Sequence, residues 1–242
     1  MTTTEPQLFP DAGPGRSAIS KPDVGGGVSH PARFSKSLMP ILAAAVPPEE
    51  YPLVLDPFAG TGRVHELPNQ TVGVELEPEW ARLHPATICG SALELPVPDD
   101  TFDAIVTSPT YGNRLADHHD AADPDRRRSY THDLGRRLHA DNSGAMQWGE
   151  RYREFHTDAW AEVWRVLRPG GRLVLSIKDH IRGGQRQHVA GWHVTELIHW
   201  DGLSLAWCEA EFDTGNLRAG ENAEARLPEQ IFVFDKPEAA AL

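Results

Sequence analysis

The stretch PLVLDPFAGTG, residues 52–62, joins a short apolar run to an acidic residue and a glycine-rich turn. Asp56 ends the apolar run, and Gly60 and Gly62 follow in the turn. Glycine lets a backbone approach a ligand closely and adopt dihedral angles that other residues avoid. Such a turn can hold a ligand, and it also serves as an ordinary strand-to-helix connection; an isolated Gly-x-Gly does not distinguish the two, and the Gly-x-Gly-x-x-Gly fingerprint of dinucleotide-binding sheets is absent. It is not a Walker A loop, because no Gly-Lys-Ser/Thr follows.

Apolar runs alternate with helical segments along the rest of the chain. The runs are short and apolar on both faces, which predicts a parallel sheet covered by helices. Between them, an apolar stripe at helical spacing starts at Tyr152 and should end before Pro169-Gly170-Gly171. The sequence therefore predicts an α/β fold with a doubly wound sheet. Its strands are expected at 52–56, 71–75, 86–89, 102–108, 172–177, 203–212 and 229–235.

Length and composition indicate one domain in a reducing compartment. The 242 residues suffice for one α/β domain, and the two cysteines lie far apart in the sequence. Residues 1–28 are rich in Pro and Gly and are expected to form a disordered or loosely packed arm, followed by the domain at 29–236 and a flexible tail at 237–242. The N-terminus has no secretory signal pattern, so a cytoplasmic location is expected.

Glu75 ends the second predicted strand and is the candidate for a ribose contact. An acid in this position commonly binds ribose hydroxyls in nucleotide-binding sheets. The alternative is a charge that stabilises the N-terminus of the following helix. Glu77 suits that alternative better, since it directly precedes Pro78.

Four motifs, in this order, carry a resemblance to a known family. DPFAGTG, GVELEPEWA, LPVPDDTFDAIVTSP and VLRPGGRLVLSIK resemble the class I S-adenosylmethionine-dependent methyltransferases. DPFAGTG followed by a Ser-Pro-x-Tyr strand exit is similar to the nucleic-acid amino-methyltransferases of the cytosine-N4/adenine-N6 type. The resemblance implies a Rossmann-like methyltransferase fold with seven strands, the last antiparallel, and S-adenosylmethionine as cofactor. The implied cofactor residues are Phe34, Asp56, Phe58, Ala59, Gly60, Gly62, Glu75, Leu76, Ser91, Ala92 and Ser108.

The strand exit TSPTYGNR, residues 107–114, is the candidate catalytic segment. An exocyclic amine is a poor nucleophile, because its lone pair is delocalised into the ring. Hydrogen-bond acceptors such as Ser108 Oγ and the Pro109 carbonyl would favour a pyramidal nitrogen, and the face of Tyr111 could stack on a flipped base, worth roughly 1–3 kcal/mol. The alternative is an ordinary turn. In the resembled family Ser-Pro-Pro-Tyr accompanies cytosine N4 methylation, and here Thr110 replaces the second proline, which should loosen the loop.

Residues 112–148 form a long connection and are the candidate target-recognition insertion. The whole chain has a formal net charge of −12, whereas Arg126 to His139 has a local charge of +4. Arginine with interspersed aromatic residues suits contact with phosphates and bases, so DNA is the expected partner and a role in DNA methylation, as in restriction–modification, is implied. The substrate-binding candidates are Thr110, Asn113, Arg114, Arg126, Arg127, Arg128 and Lys178.

Two further readings of the same pattern stay open. An RNA amino-methyltransferase shares the motif order, and a binding protein could keep the cofactor fold without catalysis. The Asp-His-His-Asp run at 117–120 lacks further spaced ligands, so no metal is expected.

Overall fold

The computed structural model describes residues 35–112, 130–200, 203–212, 225 and 227–239. The predicted N-terminal arm lies outside these ranges. So do the site candidates Phe34, Asn113, Arg114, Arg126, Arg127 and Arg128 and the 117–120 run.

A seven-stranded sheet forms the centre of the domain, as predicted. Its strands are β1 (Leu53–Asp56), β2 (Gln70–Glu75), β3 (Thr87–Cys89), β4 (Phe102–Thr107), β5 (Leu167–Ile177), β8 (Ser204–Phe212) and β9 (Glu229–Asp235). Their order across the sheet is β3-β2-β1-β4-β5-β9-β8, in which β9 pairs antiparallel with both neighbours and the first five strands are parallel. The predicted fold class is therefore confirmed, including the antiparallel last strand.

Helices cover the two faces of the sheet and create a core on each side. The helices are α1 (Met39–Ala45), α2 (Pro78–Ala81), α3 (Tyr130–Leu134), α4 (Glu150–Val166) and α5 (Val189–His199). On one face α1 packs through Leu42 against Val54 and Val106. On the other face α4 and α5 pack through Trp160 and Leu197 against alternate strand residues. Because neighbouring strand residues point to opposite faces, short apolar runs fill both cores.

The strand predicted at 172–177 begins earlier, at Leu167. Helix α4 ends at Val166, and Lys236 Nζ donates to the carbonyl oxygens of Trp164 (2.9 Å) and Leu167 (2.6 Å). The chain then extends at once through Gly170, whose φ is +73° and whose N–H donates to Lys236 O at 3.1 Å. The Pro-Gly-Gly sequence therefore lies inside an irregular strand rather than in a separate turn.

A two-stranded hairpin, β6 (His180–Arg182) and β7 (Gln185–Gln187), follows β5 and was not predicted. Gly183 and Gly184 connect its strands with φ of +57° and +72°. Such a Gly-Gly pair is a hairpin signal that the sequence did offer.

The parallel strands β1, β2, β3 and β4 present their carboxyl ends at one edge of the sheet, where ligands bind in doubly wound folds. The loops at this edge contain the described site candidates. Within the described part of the chain, no helix combines the length and apolar character needed to cross a membrane.

Candidate active site

The glycine-rich loop after β1 is fixed against β2 by backbone hydrogen bonds. Ala59 N donates to Val74 O at 3.0 Å, and Gly62 N donates to Ala59 O at 2.8 Å. Gly60 and Gly62 have φ of +54° and +80°, which favours glycine at both positions. Gly73 lets the loop approach, because a Cβ there would lie 2.7 Å from Ala59 Cβ. The loop is therefore held over the carboxyl end of β2.

Asp56 is buried at the start of this loop and uses its two carboxylate oxygens differently. Oδ1 accepts both described hydrogen bonds, from Phe58 N at 3.0 Å and from Thr107 Oγ1 at 2.7 Å. Oδ2 accepts none from the described residues. Burial raises the pKa of Asp56 to about 7, against the opposing effect of these two donors. The bond to Thr107 also ties the end of β4 to the glycine-rich loop.

Glu75 ends β2, as predicted, and its carboxylate holds the loop from the other side. Oε2 accepts from Gly60 N and Oε1 accepts from Glu77 N, each at 2.8 Å. Burial raises the pKa of Glu75 to about 7, and its backbone donors oppose that rise. Because a carboxylate has about four lone-pair sites, Glu75 can still accept hydrogen bonds from a ligand.

Glu77 is the N-cap residue of α2, where its charge was expected, and it also has partners that were not predicted. It is fully buried, and its side chain makes no capping bond to α2. Instead it accepts from His139 N at 2.8 Å and Asn142 Nδ2 at 2.9 Å, and it pairs with Arg136 at 2.8 Å. The second half of the 112–148 segment is thereby bound to the end of β2. Arg136, which lies in the basic stretch Arg126 to His139, is exposed but pairs with Glu79 as well as with Glu77.

The turn after β3 places two of the predicted cofactor residues beside Glu75. Gly90 N donates to Glu75 O at 3.0 Å, which sets the turn against β2. The hydroxyl of Ser91 accepts from Leu93 N at 3.1 Å, so it caps its own turn. Ala92 is buried, and Leu76 is partly exposed at the same edge.

The catalytic candidates Ser108, Pro109 and Tyr111 follow directly after Thr107. Ser108 Oγ lies 3.0 Å from Tyr111 Oη, and Tyr111 Oη donates to Glu229 Oε1. The Pro109 carbonyl accepts no hydrogen bond from the described residues. Burial, followed by the charge of Glu229, raises the pKa of Tyr111 well above its ordinary value. The sequence predicted a use for the ring face of Tyr111 but not this engagement of its hydroxyl.

Glu229, the first residue of β9, is the principal site residue that the sequence reasoning missed. It is buried and also accepts from Ser176 Oγ at 3.0 Å. Lys178 Nζ lies 3.9 Å from its second oxygen, so this predicted substrate residue reaches the same cluster. Two hydroxyl donors and a nearby ammonium are the partners of an ionised carboxylate.

Thr110 is held from two sides and does not loosen the loop as expected. Its hydroxyl donates to Ser143 Oγ at 2.7 Å, and its carbonyl accepts from Tyr152 Oη. These two bonds replace the restraint that a second proline would supply. Gly112 closes the segment with φ of +65°, and its carbonyl accepts from Trp148 N at 2.7 Å.

A buried histidine fixes the direction of the bond to Thr110. Trp160 Nε1 donates to His193 Nδ1 at 3.1 Å, so the proton of neutral His193 is on Nε2. That proton points to Tyr152 Oη, 2.8 Å away, and the Tyr152 hydroxyl is then free to donate to Thr110 O. Burial lowers the pKa of His193 well below its ordinary value, which keeps the ring neutral.

Phe58 packs its ring near this network and links it to the glycine-rich loop. Its centroid lies 5.8 Å from that of His156 and 6.3 Å from that of Trp160. His156 is buried, and its Nδ1 lies 2.8 Å from Tyr152 O, while burial lowers its pKa to about 3. The aromatic cluster therefore contacts the glycine-rich loop through Phe58 and the loop after β4 through Tyr152.

The structure thus brings together most of the predicted residues. The β1–β4 edge gathers Asp56, Phe58, Ala59, Gly60, Gly62, Glu75, Leu76, Ser91, Ala92, Ser108, Pro109, Thr110 and Tyr111, with Lys178 joined to Tyr111 through Glu229. Among the described residues, no group of three or more His, Cys, Asp or Glu side chains is placed to hold a metal ion.

Comparisons with known proteins bear on the fold. No family model matches the sequence, and no curated protein matches it. Of the solved structures, the [4+2]-cyclase SpnF is 16% identical over 84% of this chain and 82% of that one, with a TM-score of 0.50. At this identity the likeness shows the fold alone, and that fold is the Rossmann-like methyltransferase fold.

Two further solved structures have lower TM-scores. A Burkholderia thailandensis 1,6-didemethyltoxoflavin-N1-methyltransferase with bound S-adenosylhomocysteine is 17% identical, covers 84% of this chain and 79% of that one, and has a TM-score of 0.47. An S-adenosylmethionine dependent methyltransferase from Mesorhizobium loti is 15% identical, covers 83% and 98%, and has a TM-score of 0.48.

Proposed function

We propose that this chain is an S-adenosylmethionine-dependent methyltransferase that acts on an exocyclic amine of a DNA base, with cytosine N4 or adenine N6 as the target. One observation carries the proposal. Thr107, the last residue of β4, donates to Asp56 at the start of the glycine-rich loop. The loop suited to a cofactor and the loop suited to an amine are therefore adjacent.

The residues at this edge fit the proposed cofactor. Asp56 Oδ2 accepts no hydrogen bond from the described residues, and an acid there suits the ammonium of a methionine moiety. Glu75 retains acceptor capacity for ribose hydroxyls beside Gly60, and the turn at Ser91 and Ala92 flanks the place for a base. When bound, S-adenosylmethionine supplies an electrophilic methyl group on its sulfonium.

The chain's own contribution to the reaction is to position the amine. Ser108 Oγ and the Pro109 carbonyl can each accept a hydrogen bond from one N–H of the target. Two such bonds favour a pyramidal nitrogen, whose lone pair then points at the methyl group. Thr110 and Gly112 are each held by hydrogen bonds, so the acceptors have fixed positions before the substrate arrives.

DNA is the proposed partner, and the support comes from the sequence. Arg126, Arg127 and Arg128 follow the catalytic segment and can contact phosphates. Arg136 does not belong to this group, since it pairs with Glu77 and Glu79. Contact with a polyanion should make affinity fall as salt rises, with a slope set by the number of phosphate contacts.

Methyl transfer from tritiated S-adenosylmethionine to DNA and to RNA, followed by mass spectrometry of the nucleosides, tests the proposal. N4-methylcytosine or N6-methyladenine in DNA is the expected product. A methylated amine in RNA alone would move the activity to the RNA class. Cofactor binding without transfer to either polymer would favour a binding protein that keeps the fold.

A triple variant, Arg126→Ala with Arg127→Ala and Arg128→Ala, tests the partner separately. We expect weaker DNA binding and a shallower dependence of affinity on salt. Arg82→Ala is the control for loss of a single exposed arginine, because Arg82 follows the last residue of α2 and its Nε donates to Pro78 O. An unchanged salt slope in the triple variant would remove the cluster from the DNA interface.

A further inference from the structure

We propose that Glu229 is a positioning residue that fixes the Ser108 hydroxyl as a hydrogen-bond acceptor, acting through Tyr111, and so makes the site select a substrate that presents an N–H. This inference rests on the proposed function. It adds a residue from the last strand of the sheet and a reason for the choice of target group.

The direction of each proton follows from counting donors. Tyr111 has one hydroxyl proton, and that proton is given to Glu229 Oε1. Ser108 Oγ lies 3.0 Å from Tyr111 Oη, so the Ser108 proton must make this bond. Ser108 makes no other hydrogen bond to the described residues. Its lone pairs are therefore what it offers to a substrate.

Glu229, the last acceptor in this series of hydrogen bonds, is held so that it keeps accepting and does not donate. Glu229 is 2% exposed and accepts from Ser176 as well as from Tyr111. Lys178 Nζ, 3.9 Å away, favours the carboxylate over a protonated acid. Because a carboxylate can only accept hydrogen bonds, the hydroxyl protons of Ser108 and Tyr111 both point toward Glu229 on β9.

The consequence is a preference among the groups of a base. An exocyclic amine has N–H donors that match the lone pairs of Ser108. A carbonyl oxygen or an unprotonated ring nitrogen is itself only an acceptor, so it can form no hydrogen bond with the lone pairs of Ser108. A site whose polar group is left unpaired by the wrong ligand rejects that ligand strongly. The arrangement therefore favours amino-bearing bases over uracil or thymine carbonyls.

Glu229→Gln tests the direction while it keeps the size of the side chain. Lys178 Nζ lies beside Oε2, so the amide oxygen should take that side and the amide N–H group should replace Oε1. The amide then donates to Tyr111, which lets Tyr111 donate to Ser108 and turns the Ser108 proton toward the substrate. We expect single-turnover methyl transfer to slow about 10- to 100-fold, as for loss of a charge-assisted hydrogen bond. Affinity for S-adenosylmethionine, measured by calorimetry, should stay within about twofold, because this chain of bonds does not include Asp56 or Glu75.

Double variants separate this role from a merely structural one. In a Ser108→Ala or Tyr111→Phe background, Glu229→Gln should slow the reaction no further, because the chain is already broken. Tyr51→Phe is the matched control for loss of a tyrosine hydroxyl. Tyr51 is also buried, but it lies before the amino end of β1, at the opposite end of the strand from the site. If the double variant lost methyl-transfer rate by the product of the losses of Glu229→Gln and Ser108→Ala alone, the two residues would act independently and the proposal would be overturned.

A measurement that needs no activity completes the test. Proton NMR should show a slowly exchanging Tyr111 hydroxyl resonance that is lost in Tyr111→Phe and shifted in Glu229→Gln. If the wild type transfers no methyl group to any amine, the proposed function fails, and this resonance still decides whether Glu229 directs the bonds. Its absence from the wild type, or its indifference to Glu229→Gln, would overturn the inference.

Discussion

Replacing Asp56 by asparagine should stabilise the protein at high pH while it weakens cofactor binding. Oδ1 accepts both described hydrogen bonds, from Phe58 and Thr107, and an asparagine oxygen can keep both. The amide nitrogen then takes the place of Oδ2, the oxygen proposed for the cofactor ammonium. The variant thus removes a buried charge, keeps its bonds and places a donor where the site needs an acceptor.

The magnitude follows from the pKa of Asp56, which burial raises from 3.8 to about 7. Between these values the folded state binds more protons than the unfolded state, so stability falls as pH rises through this window and levels off above it. From pH 5 to pH 8 the ionisation of Asp56 should cost about 2–3 kcal/mol. Glu75, with a similar pKa, is present in both proteins, and its contribution cancels to first order.

Chemical denaturation of wild type and Asp56→Asn at pH 5 and pH 8 is the assay. The free energy of unfolding of the variant, relative to wild type, should rise by about 2–3 kcal/mol between the two pH values. An equal difference at both pH values would show that Asp56 does not titrate in this window. Calorimetry should show weaker S-adenosylmethionine binding by the variant at pH 8, and unchanged affinity would remove Oδ2 from the cofactor site.

Three other variants probe the loops around the site. Glu75→Gln should weaken cofactor affinity about tenfold, because one backbone N–H then faces an amide donor; equal affinities by calorimetry would remove Glu75 from the ribose contact. Tyr152→Phe should lower the free energy of unfolding by about 1–3 kcal/mol and slow methyl transfer, since it leaves buried polar groups unpaired; a variant as stable and active as wild type would contradict this role. Gly112→Ala should cost more than Gly135→Ala in denaturant titrations, because both glycines have positive φ but only a Cβ at 112 would meet Trp148 N, at 2.9 Å; equal costs would mean that strain alone matters there.

The parts of the site that the sequence predicted are those fixed by local order along a strand. Asp56, Glu75 and Ser108 each follow an apolar run, and parallel strands place such residues at one edge of the sheet. Gly60 and Gly62 are predictable for the same reason, since a sharp turn must follow β1. Residue type and spacing were sufficient for these positions.

Glu229 could not be assigned in the same way, because its role depends on tertiary pairing. It lies 118 residues from Tyr111 and reaches it only once β9 pairs antiparallel with β5. The available signal was an acid shortly before the apolar run Ile231 to Phe234. Tyr152 was predicted as part of an apolar stripe, but nothing local shows that its hydroxyl reaches Thr110. Glu77 likewise gained its partners from a segment distant in sequence.

Single-turnover methyl transfer by Ser108→Ala, set against its affinity for S-adenosylmethionine, tests the central claim most directly. That claim assigns the amine to the β4 exit and the cofactor to the loops after β1 and β2. The account predicts a methyl-transfer rate at least about tenfold below wild type, as for a lost hydrogen bond in the transition state, and a smaller loss of cofactor affinity, since Ser108 is also a cofactor candidate. A wild-type rate, or a loss of cofactor affinity as large as the loss of rate, would contradict it.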